Sequence, residues 1–139
     1  MLNNCVMCAI VAGEIPSHKV YEDENFLAFL DIYPANPGHT LIIPKRHTPD
    51  IFGLTKQEAA GLMPLAQRLA EKIRKTLNPA GINILQNNGK VAGQVIFHYH
   101  LHIIPRHEGD NVIKLSSNAG EVSSEELAKM AEKLTGNTA

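Results

Sequence analysis

Three histidines at alternate positions, His98, His100 and His102, offer the clearest chemistry in this sequence. Apolar residues fill the intervening positions of the stretch Val95–Pro105, and such a period of two predicts a half-buried β-strand with the three imidazoles on one face. A neutral imidazole near pH 7 can attack as a nucleophile, move a proton or bind a metal. A plain solvent-facing row of histidines on an antiparallel sheet is the alternative.

Distance limits how these histidines divide the work. At about 3.3 Å per residue, the Cα atoms of His98 and His102 lie about 13 Å apart along a strand, too far for one metal ion to bind all three rings. The spacing therefore leaves one end of the row for a metal and the rest for a ligand or a reaction.

The two cysteines, Cys5 and Cys8, are separated by two residues. Thiolates at this spacing form half of a tetrahedral zinc site, but they also form a redox pair. The first residues lack the charged segment and the long apolar run of a signal peptide, so we expect a cytoplasmic location. A structural disulfide is disfavoured there.

The composition is that of an ordinary globular domain. The chain has 139 residues, of which 44% are hydrophobic and 19% charged, and its formal net charge is −1. This length is enough for one domain with a real core. Without a basic block, binding to a nucleic-acid polymer is not suggested. No apolar run approaches the roughly 18 residues of a membrane span, so we expect no membrane partner.

The N-terminal half predicts three strands. Lys19–Glu22 and Asn25–Leu30 flank an acidic turn and are typical of a hairpin. Two prolines and a glycine within Asp31–Gly38 indicate a loop. Thr40–Ile43 then predicts a third strand, which a proline closes.

A long helix is predicted next. Thr55 and Glu58 fit a capping box, in which each side chain satisfies a free backbone donor at the helix start. Pro64 should kink this helix or mark its true start, and Asn78-Pro79 should end it. The apolar positions at helical spacing form one stripe that should lie on the sheet: Leu62, Ala66, Leu69, Ile73 and Leu77.

The remaining elements complete an α+β domain. Gly81–Asn87 predicts a strand, Asn88–Gly93 a turn and Ser123–Met130 a capped terminal helix. We expect a mostly antiparallel sheet of about five strands packed with one long helix and a C-terminal helix. Residues 1–110 should form the main body, and 111–139 a tail belonging to the same domain.

Several ordered motifs resemble those of the histidine triad family of nucleotide hydrolases and transferases. They span about Cys5 to His107 and comprise Asp31-Ile32, Gly38-His39, Ile43-Pro44-Lys45-x-His47, and Gly93-Gln94 followed by the three histidines. Within this family the chain is most similar to the bacterial branch near the nucleoside phosphoramidases. The resemblance implies the fold of that family.

The resemblance also implies a covalent mechanism at phosphorus. His100 would attack the α-phosphorus of a nucleoside monophosphate derivative and displace an amine or similar group, and water would then release the nucleotide. An imidazole suits this role because it attacks and leaves readily near neutral pH. His102 and His39 would donate to phosphate oxygens or move protons.

Five further residues would bind the nucleotide by the same resemblance. Asp31 and Ile32 would hold the ribose and line the base pocket. Asn87 and the backbone around Gly93 and Gln94 would hold the phosphate. On residue grounds alone, Asp31 and Asn87 are also ordinary turn residues.

One position departs from the family pattern. Val95 stands where the family commonly carries serine or threonine after the Gly-Gln pair. A hydroxyl that could bond a phosphate oxygen or the leaving group is therefore missing, which bears on turnover rate and leaving-group preference.

Some bacterial members of the family bind a structural zinc, and this chain has all four matching ligands: Cys5, Cys8, His47 and His98. A closed Cys2His2 shell would staple the N-terminal segment to the sheet without breaking bonds. Two reduced, buried cysteines are the alternative. His18 and His107 belong to no constellation, and we expect both at the surface.

Three functions remain open. The leading hypothesis is a homodimeric hydrolase of purine nucleoside phosphoramidates or acyl-adenylates, the dimer being implied by the resemblance alone. A dinucleoside polyphosphate hydrolase would share the same nucleophile. A zinc-stapled nucleotide-binding protein with little catalysis is the third. A DNA-binding zinc finger is poorly supported, because no basic helix follows the cysteines at finger spacing.

Overall fold

The computed structural model describes residues 4–113 and 120–136. Three helices and five strands follow one another: α1 Val6–Val11, β1 Lys19–Glu22, β2 Phe26–Leu30, β3 Thr40–Pro44, α2 Lys56–Leu77, β4 Gly81–Leu85, β5 Leu101–Arg106 and α3 Ser124–Gly136. Among these helices, none is long and apolar enough to cross a membrane. Parts of the predicted main body and tail, residues 1–3, 114–119 and 137–139, lie outside the described residues.

The strands form one antiparallel sheet in the order β1-β2-β3-β5-β4. The predicted hairpin is confirmed as β1 and β2, and β3 follows the loop as expected. Leu41 of β3 faces His102 of β5, so the segment that follows the loop at residues 31–38 lies beside the histidine segment. The predicted α+β fold with five strands is confirmed.

The long helix α2 covers one face of this sheet. Thr55 and Glu58 make both bonds of the predicted capping box, and Asn78 ends the helix with a left-handed φ of 47°. The helix begins at Lys56, so Pro64 lies inside it and does not mark its start. Most of its predicted apolar stripe packs in one core cluster with residues of the sheet and of the segment before β5, but Leu77 is 41% exposed and lies outside the cluster. The buried members of the cluster are Phe26, Ala28, Ile42, Leu62, Leu65, Ala66, Leu69, Tyr99, Leu101 and Ile103.

A second core cluster lies apart from that helix and involves α1, which the sequence patterns did not indicate. Met7 of α1 is 2% exposed and packs with buried residues of β2 and β3. Cys5 caps the start of α1 through its sulfur, which accepts from the backbone N–H of Cys8 at 3.4 Å. The Cys-x-x-Cys motif is thus the first turn of a short helix anchored to the sheet.

The predicted histidine strand is half wrong. Hydrogen-bonded strand begins only at Leu101, and residues 95–100 are irregular. The period of two still holds for side chains, because Tyr99, Leu101 and Ile103 all enter the core cluster beneath α2. The strand fails earlier because the Tyr99 N–H donates to the Thr48 carbonyl at 2.7 Å instead of to a neighbouring strand.

Two other predicted boundaries shift. The strand predicted over Gly81–Asn87 ends at Leu85, since the loop that follows makes its own side-chain bonds. The terminal helix runs from Ser124 to Gly136, and the Ser123 hydroxyl accepts from the Glu126 N–H at 3.2 Å, as a capped start requires.

Candidate active site and candidate metal centre

The first of the three histidines lies apart from the other two in its contacts. His98 has no exposed surface, and its Nδ1 lies 3.4 Å from Cys5 Sγ and 3.6 Å from Cys8 Sγ. Cys8 Sγ also lies 3.3 Å from Nδ1 of His47. The ligand atoms of these four residues all lie within 4.8 Å of one another, so the structure brings together every predicted metal ligand.

The spacing of these atoms suits a tetrahedral zinc ion. Zinc–sulfur bonds near 2.3 Å and zinc–nitrogen bonds near 2.0 Å put sulfur and nitrogen about 3.5 Å apart. The three sulfur–nitrogen distances, 3.3, 3.4 and 3.6 Å, bracket that value. Four side chains complete the coordination shell, so a metal here would have no position for a substrate.

Electrostatics also favours a cation in this cluster. Burial raises the pKa of the Cys8 thiol to about 11, and the hydrogen bond and charge of Cys5 add to the shift. Two thiolates at this spacing therefore need a positive ion to ionise together. The ring of His98 is already oriented, because its Nε2–H donates to the Pro44 carbonyl at 2.8 Å and leaves the Nδ1 lone pair for a metal.

Three parts of the chain position the cluster. The start of α1 supplies both cysteines, and the irregular segment before β5 supplies His98. His47 follows β3, where its neighbour Arg46 donates to Glu58 at 2.7 Å and so ties this turn to the start of α2. A surface pocket lined by Cys5, His47 and Val95 opens beside the cluster and gives a metal a path of entry.

The second histidine of the row, His100, has one nitrogen held and the other available. Its Nδ1–H donates to the carbonyl of His98 at 2.7 Å, so the lone pair of the neutral ring lies on Nε2. This Nε2 has no hydrogen bond within residues 4–113 and 120–136. His100 is partly exposed, and its ring centroid is 5.0 Å from that of His102.

The third histidine, His102, is aligned by His39. The Ala35 N–H donates to His39 Nδ1 at 3.0 Å, so the proton of a neutral His39 lies on Nε2. That Nε2–H donates to His102 Nδ1 at 2.9 Å, which leaves a proton on Nε2 of His102. The buried ring of His39 and the Ala35 N–H thus place a hydrogen-bond donor on the side of the partly exposed His102 that faces away from His39.

Burial keeps these two rings neutral. It lowers the pKa of His102 to about 4, with His100 and His39 adding to the shift. Burial also lowers the pKa of His39, while the charge of Asp31 opposes that shift. Asp31 Oδ2 lies 3.6 Å from His39 Nε2.

Asp31, His39 and His102 also lie close enough to hold a metal, but the hydrogen bonds argue against it. A metal on His39 Nε2 would require the proton to move to Nδ1, where the Ala35 N–H already points. This group is therefore a hydrogen-bonded chain, and the second metal site that its spacing suggests is disfavoured.

The residues predicted to hold the sugar and base lie at the start of the loop before His39. Asp31 is anchored as an Asx turn, because its Oδ1 accepts from the Tyr33 N–H at 2.9 Å. Its carboxylate also faces the histidines, so the turn role and the site role coexist. The side chain of Ile32 is 71% exposed and free to line a pocket.

Asn87 and Gly93, two of the residues predicted to hold phosphate, are neighbours in the structure. Asn87 lies against Gly93, where a Cβ atom would meet its side-chain nitrogen at 3.5 Å, and its amide has no hydrogen bond among the described residues. Gly93 has a φ of +96°, a conformation that favours glycine.

The side chain of Gln94 is bonded within its own loop. It is 2% exposed, and its amide bonds Gly89, Pro49 and Ile96. The backbone N–H groups of Gly93 and Gln94 also donate inside the loop, to Lys90 and Gly89. Both N–H groups thus donate within the loop, and the role of this backbone in holding phosphate stays a prediction.

The sequence motifs do not reveal the backbone atoms that position this region. The Pro44 carbonyl, the Thr48 carbonyl and the Ala35 N–H orient the histidines, yet no residue type marks them. His18 and His107 are exposed, as expected.

A histidine with one nitrogen bonded and the other free, beside a second histidine aligned by a third, is the arrangement that nucleophilic histidine catalysis requires. The model of the HIT domain matches residues 12–109. The chain therefore belongs to the HIT family.

Relatives of known sequence agree with this assignment. Protein hit of Bacillus subtilis is 51% identical over 108 residues, covering 77% of this chain and 74% of the relative. Adenosine 5'-monophosphoramidase hnt1 of Schizosaccharomyces pombe is 36% identical over 132 residues, covering 95% and 96%. Adenylylsulfatase HINT3 of Arabidopsis thaliana is 44% identical over 108 residues, covering 78% and 55%.

Solved structures share the whole fold. A HIT family protein from Bacillus anthracis superposes with a TM-score of 0.92 at 40% identity, covering 100% of both chains. A zinc-bound histidine triad family protein from Mycobacterium smegmatis has a TM-score of 0.74 at 42% identity, covering 94% of this chain and 97% of the other.

Proposed function

We propose that this HIT family protein is a nucleotide hydrolase that cleaves purine nucleoside phosphoramidates or related acyl-adenylates at the α-phosphorus. One observation carries the proposal: the Nδ1–H of His100 donates to the His98 carbonyl at 2.7 Å and leaves the Nε2 lone pair free to attack. The relatives named as a monophosphoramidase and an adenylylsulfatase support a substrate in which an adenylyl group carries a leaving group.

The first step forms a bond from Nε2 of His100 to phosphorus while the bond from phosphorus to the leaving nitrogen or oxygen breaks. The leaving group takes its electron pair with it and takes up a proton from solvent water. His102 carries a hydrogen-bond donor on Nε2, because His39 donates to its Nδ1. That Nε2–H would donate to a phosphate oxygen and stabilise the charge that develops there, since a neutral imidazole does not release its N–H proton near pH 7.

In the second step water attacks the phosphorus and releases a proton to solvent as the bond to His100 breaks. The nucleoside monophosphate leaves, and His100 recovers its free Nε2. Dividing one hard displacement into two is the advantage of a nucleophile that is also a good leaving group.

Asp31 and Ile32 would hold the ribose and base, and Asn87 the phosphate beside Gly93. The exposed side chain of Ile32 and the uncommitted amide of Asn87 support these roles. We assign Gln94 the role of shaping the phosphate loop, since its side chain bonds three loop carbonyl or amide groups.

The metal centre is proposed to be a structural zinc held by Cys5, Cys8, His47 and His98. The sulfur–nitrogen distances and the oriented ring of His98 support it, as does the zinc-bound relative of known structure. Zinc would supply a crosslink between α1 and the sheet, and no bond-breaking step.

We also propose a homodimer in the cytoplasm. The strand β4 lies at an edge of the sheet with Ile84 41% exposed, and Met63 of α2 is 59% exposed. These features support association with a second copy. The free thiols of Cys5 and Cys8 suit a reducing compartment. Sedimentation tests the dimer directly.

The test of the reaction is release of adenosine monophosphate from adenosine phosphoramidate. Wild type should turn over, and His100→Ala should lose at least a thousandfold in kcat. Rapid quenching followed by intact mass analysis should reveal one nucleotidyl group on wild type and none on His100→Ala. Turnover by His100→Ala equal to wild type would rule the mechanism out.

The same assay separates the other hypotheses. Faster turnover of diadenosine tetraphosphate would favour a dinucleoside polyphosphate hydrolase. Tight binding of adenosine monophosphate without turnover above the His100→Ala background would favour a nucleotide-binding protein.

A further inference from the structure

One residue connects the metal centre to the proposed nucleophile. His98 directs Nδ1 to the two cysteines at 3.4 and 3.6 Å, and its Nε2–H donates to the Pro44 carbonyl at 2.8 Å. The backbone carbonyl of the same residue accepts the Nδ1–H of His100 at 2.7 Å. The ring of His98 thus faces the candidate metal centre, and its backbone carbonyl holds the ring of His100, the proposed nucleophile.

The segment that carries this carbonyl has no strand to hold it. Residues 95–100 lie outside the sheet, and β5 begins at Leu101. Within the segment, the Tyr99 N–H donates to the Thr48 carbonyl at 2.7 Å. Thr48 follows His47, so the segment that bears His98 is tied to the turn that bears another ligand of the same cluster.

We infer that the metal centre positions His100 for attack, acting through the buried ring and the backbone carbonyl of His98. A metal bound to His47 and His98 fastens the two segments that the Thr48–Tyr99 bond also joins. Loss of the metal leaves the ring of His98 with one firm bond, to Pro44. The carbonyl then moves, and the free Nε2 of His100 moves with it.

This inference rests on the proposed function and assigns His98 as a positioning residue. Its signature is a change in kcat rather than in KM. The proposed nucleotide contacts, Asp31, Ile32 and Asn87, belong to other segments of the chain, so binding should persist when the cluster is disturbed. A nucleophile displaced by about 1 Å loses on the order of a hundredfold in rate.

The experiment compares zinc-loaded wild type with Cys8→Ser on adenosine phosphoramidate, with metal content measured for each protein. We expect Cys8→Ser to lose zinc and to lose roughly tenfold to a hundredfold in kcat, with KM changed less than about twofold. The matched control is Leu69→Ala, which truncates a 6% exposed side chain in the core cluster beneath α2. It should lower stability but keep zinc and kcat below its melting temperature.

A second measurement does not depend on turnover. In protein with 15N-labelled imidazoles, the Nδ1–H of His100 should give one protected NMR signal in zinc-loaded wild type and in Leu69→Ala. Removing zinc from wild type with a chelator should broaden or abolish that signal, and adding zinc back should restore it. If Cys8→Ser does not fold, His47→Ala replaces it in both measurements.

The outcomes are distinct. An unchanged kcat and an unchanged His100 signal in folded, metal-free protein would overturn the inference while leaving the hydrolase intact. An equal loss of kcat in Leu69→Ala would overturn it as well, because general destabilisation would then explain the result. Absence of turnover in wild type would defeat the proposed function, and the NMR comparison would still decide whether metal and His100 are coupled.

Discussion

The Nε2 of His39 lies 2.9 Å from the Nδ1 of His102, and this bond joins the residue before β3 to a residue within β5. Because the Ala35 N–H occupies the other nitrogen of His39, the bond has a defined direction. The tautomer of His102 is thus set by the backbone amide of Ala35, through two successive hydrogen bonds.

Replacing His39 should separate its two roles. His39→Ala removes the donor to His102 and the acceptor of the Ala35 N–H, so we expect a loss of roughly a hundredfold in kcat and about 1–3 kcal/mol in stability. His39→Asn is the matched variant, because its side-chain oxygen can still accept from Ala35 while it is too short to reach His102. It should recover much of the stability and little of the turnover. Recovery of both by His39→Asn would refute the directed bond.

Acid should destabilise the protein through His102. Its pKa is lowered from 6.5 to about 4, mainly by burial, so the unfolded chain binds a proton between these values and the folded chain does not. By linkage, the contribution of His102 to the free energy of unfolding is fully present above about pH 6.5. As the pH drops towards 4, the free energy of unfolding falls by roughly 2 kcal/mol.

Urea unfolding of wild type and His102→Gln at several pH values measures this effect. The difference between the two proteins isolates His102 from carboxylates and metal ligands that also titrate in acid. We expect wild type to lose more stability than His102→Gln as the pH falls from 6.5 to 4. Parallel curves would show that His102 is not held neutral.

Removing zinc should release the N-terminal helix before the rest of the fold. α1 has only six residues, and its contacts to the sheet centre on Met7. A bound metal stabilises the folded state by several kcal/mol when it is in excess over its dissociation constant. We therefore expect Cys5→Ser or a chelator to lower Tm and to speed amide exchange first in α1.

The control for metal specificity is His18→Ala, which changes an exposed histidine outside the cluster. It should keep one zinc per chain and the wild-type Tm. If Cys5→Ser also kept zinc and Tm, the assignment of the ligands would be wrong.

Restoring a hydroxyl at position 95 should raise turnover. Val95 is 85% exposed, so a serine fits without repacking. A hydroxyl there could bond a phosphate oxygen or the leaving group, and one such hydrogen bond to a charged group is worth roughly 1.5–3 kcal/mol at most. We expect Val95→Ser to raise kcat several-fold and Val95→Ala to leave it unchanged. Equal rates for all three proteins would show that the side chain at 95 does not meet the substrate.

The parts of the fold predictable from sequence are those set by local rules. Two runs of strand-forming residues around an acidic turn specify the first hairpin, and the reciprocal bonds of Thr55 and Glu58 mark the start of α2. Residues 95–100 belong to the stretch that alternates like a strand but are not strand, because the backbone of Tyr99 and the ring of His98 take partners distant in sequence. An alternation with a period of two residues does not reveal those partners, because it describes only neighbours along the chain.

The candidate site also has some features that the sequence predicted and others that it did not. Residue types and family motifs found the histidines and cysteines that the structure brings together. They did not show that the Gln94 side chain is hydrogen-bonded within its own loop. They also did not show that backbone groups of Pro44 and Ala35 determine which ring nitrogen of His98 and of His39 carries the proton. Hydrogen-bond direction depends on tertiary neighbours, so only coordinates supply it.

The complete burial of His98 has a consequence for inhibitor design. A small molecule shaped to the proposed nucleotide site would meet two partly exposed imidazoles of the motif, His100 and His102, and no surface of the first. A phosphonate warhead would target the Nε2 of His100, the proposed nucleophile. A chelating drug would instead approach past Cys5 and His47, so the two kinds of compound need not compete for one cleft.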